Sequence, residues 1–109
     1  MASDALDAEF RTALHVQRDL LRRVRDSVDD VEERFASTED TSEKLRELEE
    51  LMDEIEAGAD NLRPGDLADY DPGEIDRIYE RNQASVRQDI ESLDFENWDR
   101  FVQQTKTYA

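Results

Sequence analysis

An all-α fold is predicted for this chain, built on a long N-terminal helix that turns back in an antiparallel helical hairpin. Three observations lead there. Apolar residues recur at alternating steps of four and three from Phe10 to Phe35. Neither Gly nor Pro interrupts residues 2–57. Capping residue types mark the boundaries, above all Asp71-Pro72-Gly73-Glu74. The expected architecture is a three- to four-helix, up-down-up(-down) bundle with coiled-coil-like packing, and the length fits one domain over residues 1–109. The helices are expected at about 4–36, 42–57, 72–92 and 95–105, with a loop over 58–71.

The first helix carries the clearest signal. Ser3 is placed as its cap, and Asp4, Asp7 and Glu9 lie in the first turns, where the helix dipole favours anions. Its seam reads Phe10, Leu14, Gln17, Leu21, Val24, Val28, Val31 and Phe35, a heptad pattern of mean period 3.5. Labelled as a and d, this seam puts Arg11, Arg18 and Arg25 at the e positions. A helix of about 32 residues is roughly 48 Å long.

The polar stretch Ala36–Ser42 breaks the pattern, and Asp40 with Glu43 three residues on reads as a capping signal. The second helix has the seam Leu45, Leu48, Met52 and Ile55, extended by Ala59 and Leu62 if it frays on, with Gly58 as its stop. Glu49 and Glu56 fall at e, so Arg25 beside Glu56 fits the expected hairpin register.

Arg63-Pro64-Gly65-Asp66 suits a type II turn. Asp71 then caps a third helix, with Pro72 at its first position. Its stripe is Ile75, Ile78/Tyr79, Val86, Ile90 and Leu93, with Asn82 in line. Asp94 caps a short fourth helix, and Leu93 and Trp98 match a hydrophobic staple across its start. The polar tail Gln103–Ala109 is expected to fray, with Tyr108 free to dock.

Charge narrows the class of protein. The chain holds 30 Asp+Glu against 14 Lys+Arg, a net charge of -16, and 12 of the bases are Arg. Net charge is -3 over residues 1–36, -7 over 37–63 and -6 over 64–109, so the acidity is not confined to a tail. Many carboxylates with few lysines resemble haloarchaeal proteins in composition. That resemblance implies a high-salt cytoplasm or the virion of a halophile's virus, and implies nothing about activity. Direct nucleic-acid binding is not expected at this charge. No apolar run is long enough to span a bilayer, and no basic segment followed by an apolar stretch opens the chain, so neither a membrane span nor a signal peptide is expected.

Catalytic signals are missing. Without Cys there is no thiol nucleophile, disulfide or thiolate metal site. The lone His15 falls at a predicted solvent-facing position, which leaves Ser-His-Asp chemistry without support. Gly58, Gly65 and Gly73 are each explained by a cap or turn, so no phosphate loop is present. The carboxylate pairs Glu50/Glu54 and Asp26/Asp30 lie on predicted outer faces. Thr12 stands where a di-metal bundle would need Glu ahead of His15, and Asp66, Asp69 and Asp71 lack calcium-loop spacing. No catalytic residue, cofactor, metal or small-molecule substrate is therefore assigned. Gln17 and Asn82 interrupt apolar seams as candidate register-setting polar positions. Arg18, Arg22, Arg23 and Arg25 form the one basic cluster, expected to pair within the chain.

Thirty large apolar residues make a thin core for a helix this long. The expectation is a non-enzymatic helical interaction or structural protein, a small subunit or adaptor, with a protein partner or a second copy on its apolar seams. The candidate interface residues are Phe95, Trp98, Phe101, Val102, Phe10 and Leu14, since aromatics concentrate at interface centres. The alternative is an acidic DNA-mimic inhibitor, since small, very acidic, helical phage proteins look like this chain in size and charge.

Overall fold

The computed structural model describes residues 2–58 and 70–109, with side chains from residue 10 onward. Four helices follow one another: α1 (Ala2–Arg34), α2 (Thr41–Ala57), α3 (Pro72–Glu91) and α4 (Trp98–Tyr108). The described residues contain no strand. The fold is thus the all-α bundle that the periodicity requires. The expected turn over Arg63–Asp66 and the seam extension to Ala59 and Leu62 fall outside the described residues.

Each boundary has a local cause. Helix α1 already includes Ala2, so Ser3 lies within the helix and is not its cap. It ends at Arg34, two residues before the expected Ala36, where Thr38 N–H bonds the Phe35 carbonyl at 3.0 Å and tightens the chain into a turn. Asp40 caps α2, its Oδ1 accepting from Ser42 N–H at 2.9 Å. The Asp40 N–H donates to Thr38 Oγ1 at 3.1 Å, the bond that the capping signal assigned to Glu43. At the other end, Gly58 takes φ -92° and its N–H bonds the Glu54 carbonyl at 3.0 Å. The helix therefore stops at Gly58 without a left-handed glycine cap. Asp71 caps α3 through Gly73 N–H at 3.3 Å, with Pro72 in the first turn.

Helix α4 differs most from expectation. Asp94 is not the cap of this helix, whose N-cap position is Asn97 without a side-chain cap bond; Asp94 instead closes the preceding turn, its Oδ1 accepting from Asn97 N–H at 3.0 Å while Asn97 Oδ1 accepts from Asp94 N–H at 2.7 Å. Residues 95–97 form a turn, and regular α-helix begins at Trp98. The polar tail does not fray. It stays helical through Tyr108, buries Thr105 and ties down its end, with Arg22 Nε donating to the Ala109 carbonyl at 3.2 Å.

Contacts between helices give the topology. Lys44 meets Glu32 at 3.3 Å and Arg34 meets Glu47, which ties the C-terminal end of α1 to the first turns of α2. The expected Arg25–Glu56 pair does not form. Arg25 reaches its neighbour Asp26, and Glu56 is taken by Arg87 of α3. Arg87 bridges Glu56 and Asp53 at 2.8 Å each, and the bond and charge of Glu56 first, then Asp53, hold its guanidinium above the usual range. Trp98 beside Glu32, Lys106 beside Asp29 and Ala109 beside Arg22 set α4 antiparallel to α1. Both lysines of the chain are thus spent on ties to α1.

The core runs the length of α1. Val16, Leu20, Val24, Val28 and Val31 are buried from that helix, with Leu48 and Met52 from α2. Ile75, Ile78, Tyr79, Val86 and Ile90 come from α3, and Trp98 and Val102 from α4. On α3 the polar residue within the stripe is Gln83, buried, while Asn82 is only half-buried. Both follow apolar residues by one turn, but the core side of α3 runs along Tyr79, Val86 and Ile90, which selects Gln83.

The heptad seam holds in only half of α1. From Val24 to Val31 it is buried as expected, and Phe35 at its end is half-buried. Toward the N-terminus the buried stripe is Thr12, Val16 and Leu20, not Phe10, Leu14, Gln17 and Leu21. Four-residue steps at 3.6 residues per turn rotate a stripe by about 40° each. Over three steps the buried line leaves the heptad seam.

Candidate interaction surface

Rotation of the buried stripe leaves the start of the heptad seam uncovered among the described residues. Phe10 is 64% exposed and Leu14 48%. Gln17 and Leu21, next along the same line, are half-buried. These residues do not stand on a convex face. Leu14, Gln17 and Leu21 form one wall of a groove of about 830 Å³, whose other walls are Ser85, Val86 and Asp89 of α3 and Phe101, Thr105 and Tyr108 of α4. Tyr108 is 67% exposed at its rim. Among the described residues, α4 lies beside α1 as far as Arg22, and the groove opens beyond it along the N-terminal half of α1.

The six residues singled out by sequence separate into three places. Phe10, Leu14 and Phe101 lie on or next to this groove. Phe95, exposed, lies at the opposite end beside Leu93 and the start of α2, on a shallower cleft of about 420 Å³. Trp98 and Val102 are buried in the core and present no surface. Trp98 closes the bundle: its Nε1–H donates to Glu32 Oε1 at 2.8 Å, Lys44 Nζ sits 5.7 Å from its ring centroid, and Phe101 packs tilted against it. An amphipathic helix of this composition buries its largest side chain first, so the staple position became core.

Arginines edge the groove. Arg11 and Arg18 are exposed on its α1 side, and neither has an ion-pair partner among the described residues. The other members of the basic cluster are engaged: Arg23 pairs with Asp19 at 3.0 Å, Arg22 holds the Ala109 carbonyl and Arg25 contacts Asp26. His15, expected to face solvent, is half-buried on the groove wall. The sequence contained a sign of this rim, because Arg11 and Arg18 share the e edge of the seam. Tyr108 was legible only as a residue free to dock and Val86 only as part of the α3 stripe, since their place on the groove depends on how α3 and α4 dock.

Among the described residues, no three His, Asp or Glu side chains come together in a way that could hold a metal ion. Glu50, Glu54 and Asp26 are exposed, as the outer-face assignment requires, whereas Asp30 is half-buried and pairs with Arg34 at 3.2 Å. No helix among the described residues is long and apolar enough to cross a membrane. The sequence matches no protein-family model, and no curated protein or solved structure matches it at a significant level.

Proposed function

We propose that this chain is a non-enzymatic helical interaction protein, a small subunit or adaptor that receives a protein partner in the groove beside the N-terminal half of α1. One observation carries the reading. Of the heptad-spaced line, Phe10 and Leu14 are left exposed among the described residues and Gln17 and Leu21 are only half-covered, while the adjacent line Thr12, Val16 and Leu20 fills the core. A seam of that spacing suits a packed helix, and a contiguous exposed apolar groove on a small acidic protein suits a binding surface. The excess of carboxylates over lysines supports a working environment of molar salt, in a halophile's cytoplasm or in the virion of its virus.

The test combines light scattering on a sizing column with fluorescence anisotropy of a labelled helical peptide. The peptide carries Leu at heptad spacing and Gln at the flanking positions. Wild-type protein is expected to form a complex, with itself or with the peptide, and Leu14→Asp to lose it with its circular dichroism unchanged. A wild-type protein that stays monomeric and ignores the peptide would refute the reading.

A further inference from the structure

We infer that the occupant of the groove is an amphipathic helix of another protein whose apolar stripe is flanked by carboxylates. This rests on the groove being an interaction site, and adds the chemistry of the partner.

The charge pattern points to it. Between residues 10 and 25 the chain carries five arginines and one aspartate, a net of +4 within a protein of net -16. Three of those arginines are occupied within the bundle, and the aspartate is paired with Arg23. Arg11 and Arg18 remain, one heptad apart, on the groove edge. At the e positions they lie where a helix docked on the seam presents its own flanking residues. Among the described residues, Asp89 on the opposite wall is the one acidic side chain lining the groove. An incoming helix therefore meets positive charge along α1, although the molecule as a whole repels anions.

The same geometry argues against a second copy. In an antiparallel pairing of two α1 seams the e edges face each other, so Arg11 and Arg18 would meet Arg18 and Arg11 of the other chain. Like charges placed directly across a helical seam are unfavourable. A parallel pairing would set the e edge against the g edge, where Leu20 is already buried in its own core. A different helix with Glu or Asp beside its apolar stripe has neither conflict.

The experiment uses the full chain and three labelled peptides that share one Leu stripe and differ in their flanks: Glu, Gln or Lys. The Glu-flanked peptide is expected to bind roughly five- to thirtyfold tighter than the Lys-flanked one in dilute buffer. The gap should shrink in 1 M KCl, where the Debye length is about 3 Å. Arg11→Glu/Arg18→Glu should reverse the order of Glu and Lys peptides. Both positions are exposed, so the fold should be retained, and circular dichroism checks this. Preference for the Lys-flanked peptide, as net charge alone dictates, overturns the inference. Equal binding of all three peptides, lost in Leu14→Asp, overturns it too but leaves the groove as an interaction site. A dimer of the chain that Leu14→Asp dissolves would replace the acidic helix with a second copy. No peptide binding and no dimer would remove the groove reading itself.

Discussion

Trp98 and Phe95 lie three residues apart in one aromatic segment, yet their surroundings are opposite. Trp98 is 4% exposed, with its indole N–H satisfied by Glu32 and its face covered by Lys44, whereas Phe95 is 66% exposed. Trp98→Ala should therefore destabilise by about 3–5 kcal/mol, and Phe95→Ala by less than about 0.5 kcal/mol, in urea unfolding followed by circular dichroism. Tyr79 and Gln83 form a less settled pair. They lie one turn apart on α3, both buried, and among the described residues neither Tyr79 Oη nor Gln83 Nε2 has a hydrogen-bond partner of normal geometry. Burial pushes the Tyr79 phenol above its ordinary value, with Arg23 pulling it down and Asp19 pushing it up. The folded chain thus keeps this proton to higher pH than the unfolded chain does. The corresponding stability is whole below about pH 10 and is lost as pH rises through the folded value. Tyr79→Phe should leave neutral-pH stability unchanged or raise it by up to about 1 kcal/mol, because no bond is broken. It should also flatten the alkaline fall in melting temperature. A Tyr79→Phe protein that melts well below wild type at pH 7 would show that the hydroxyl is satisfied after all.

At the scale of the helix, α1 separates two properties that sequence periodicity joins. Its C-terminal half uses one line of residues for both heptad spacing and burial. Its N-terminal half buries Val16 and Leu20 and exposes Phe10 and Leu14. Leu20→Ala should cost about 2–5 kcal/mol, as expected for a leucine that is 0% exposed, and Leu14→Ala less than about 1 kcal/mol. If the seam were the true core along all of α1, the ranking would reverse. Thermal melts of the two variants decide between the registers. The same comparison tests the groove indirectly, since only an unpartnered Leu14 can be replaced without loss of stability.

Across the whole molecule, shape and charge act together. The described residues extend 53 × 25 × 19 Å, and the longest dimension matches the roughly 50 Å expected of a 33-residue helix. A slender body with net charge -16 has a large surface on which carboxylates repel one another, and little core to oppose them. Helicity and melting temperature should therefore rise from 0.1 to 3 M KCl, followed by circular dichroism. A protein already at full stability in 0.1 M salt would mean that salt adaptation is not needed to explain the acidity. The DNA-mimic alternative would then gain weight. Against it stand Arg34 and Arg87, which interleave with Glu47, Asp53 and Glu56 and interrupt the continuous carboxylate rows that mimicry requires.

By itself, the sequence determined the all-α class, four helices in order, the caps at Asp40 and Asp71, and an antiparallel hairpin. These depend on local periodicity and on side chains within three or four residues of the backbone groups they satisfy. Outer-face placement of Glu50 and Glu54 follows from the same local rule. Which residues of the N-terminal half of α1 are core could not be read that way. Two adjacent stripes there are both apolar enough to pack, and only the docking of α3 and α4 selects between them. Placement of Glu56 with Arg87 rather than Arg25 depended on a third helix that pairwise register ignores. The burial of Trp98, the ordered tail held by Arg22 and the groove that ends in Tyr108 were likewise decided by tertiary structure. Each depends on distances between residues remote in the chain, and those are set by how ridges of one helix seat in the grooves of another.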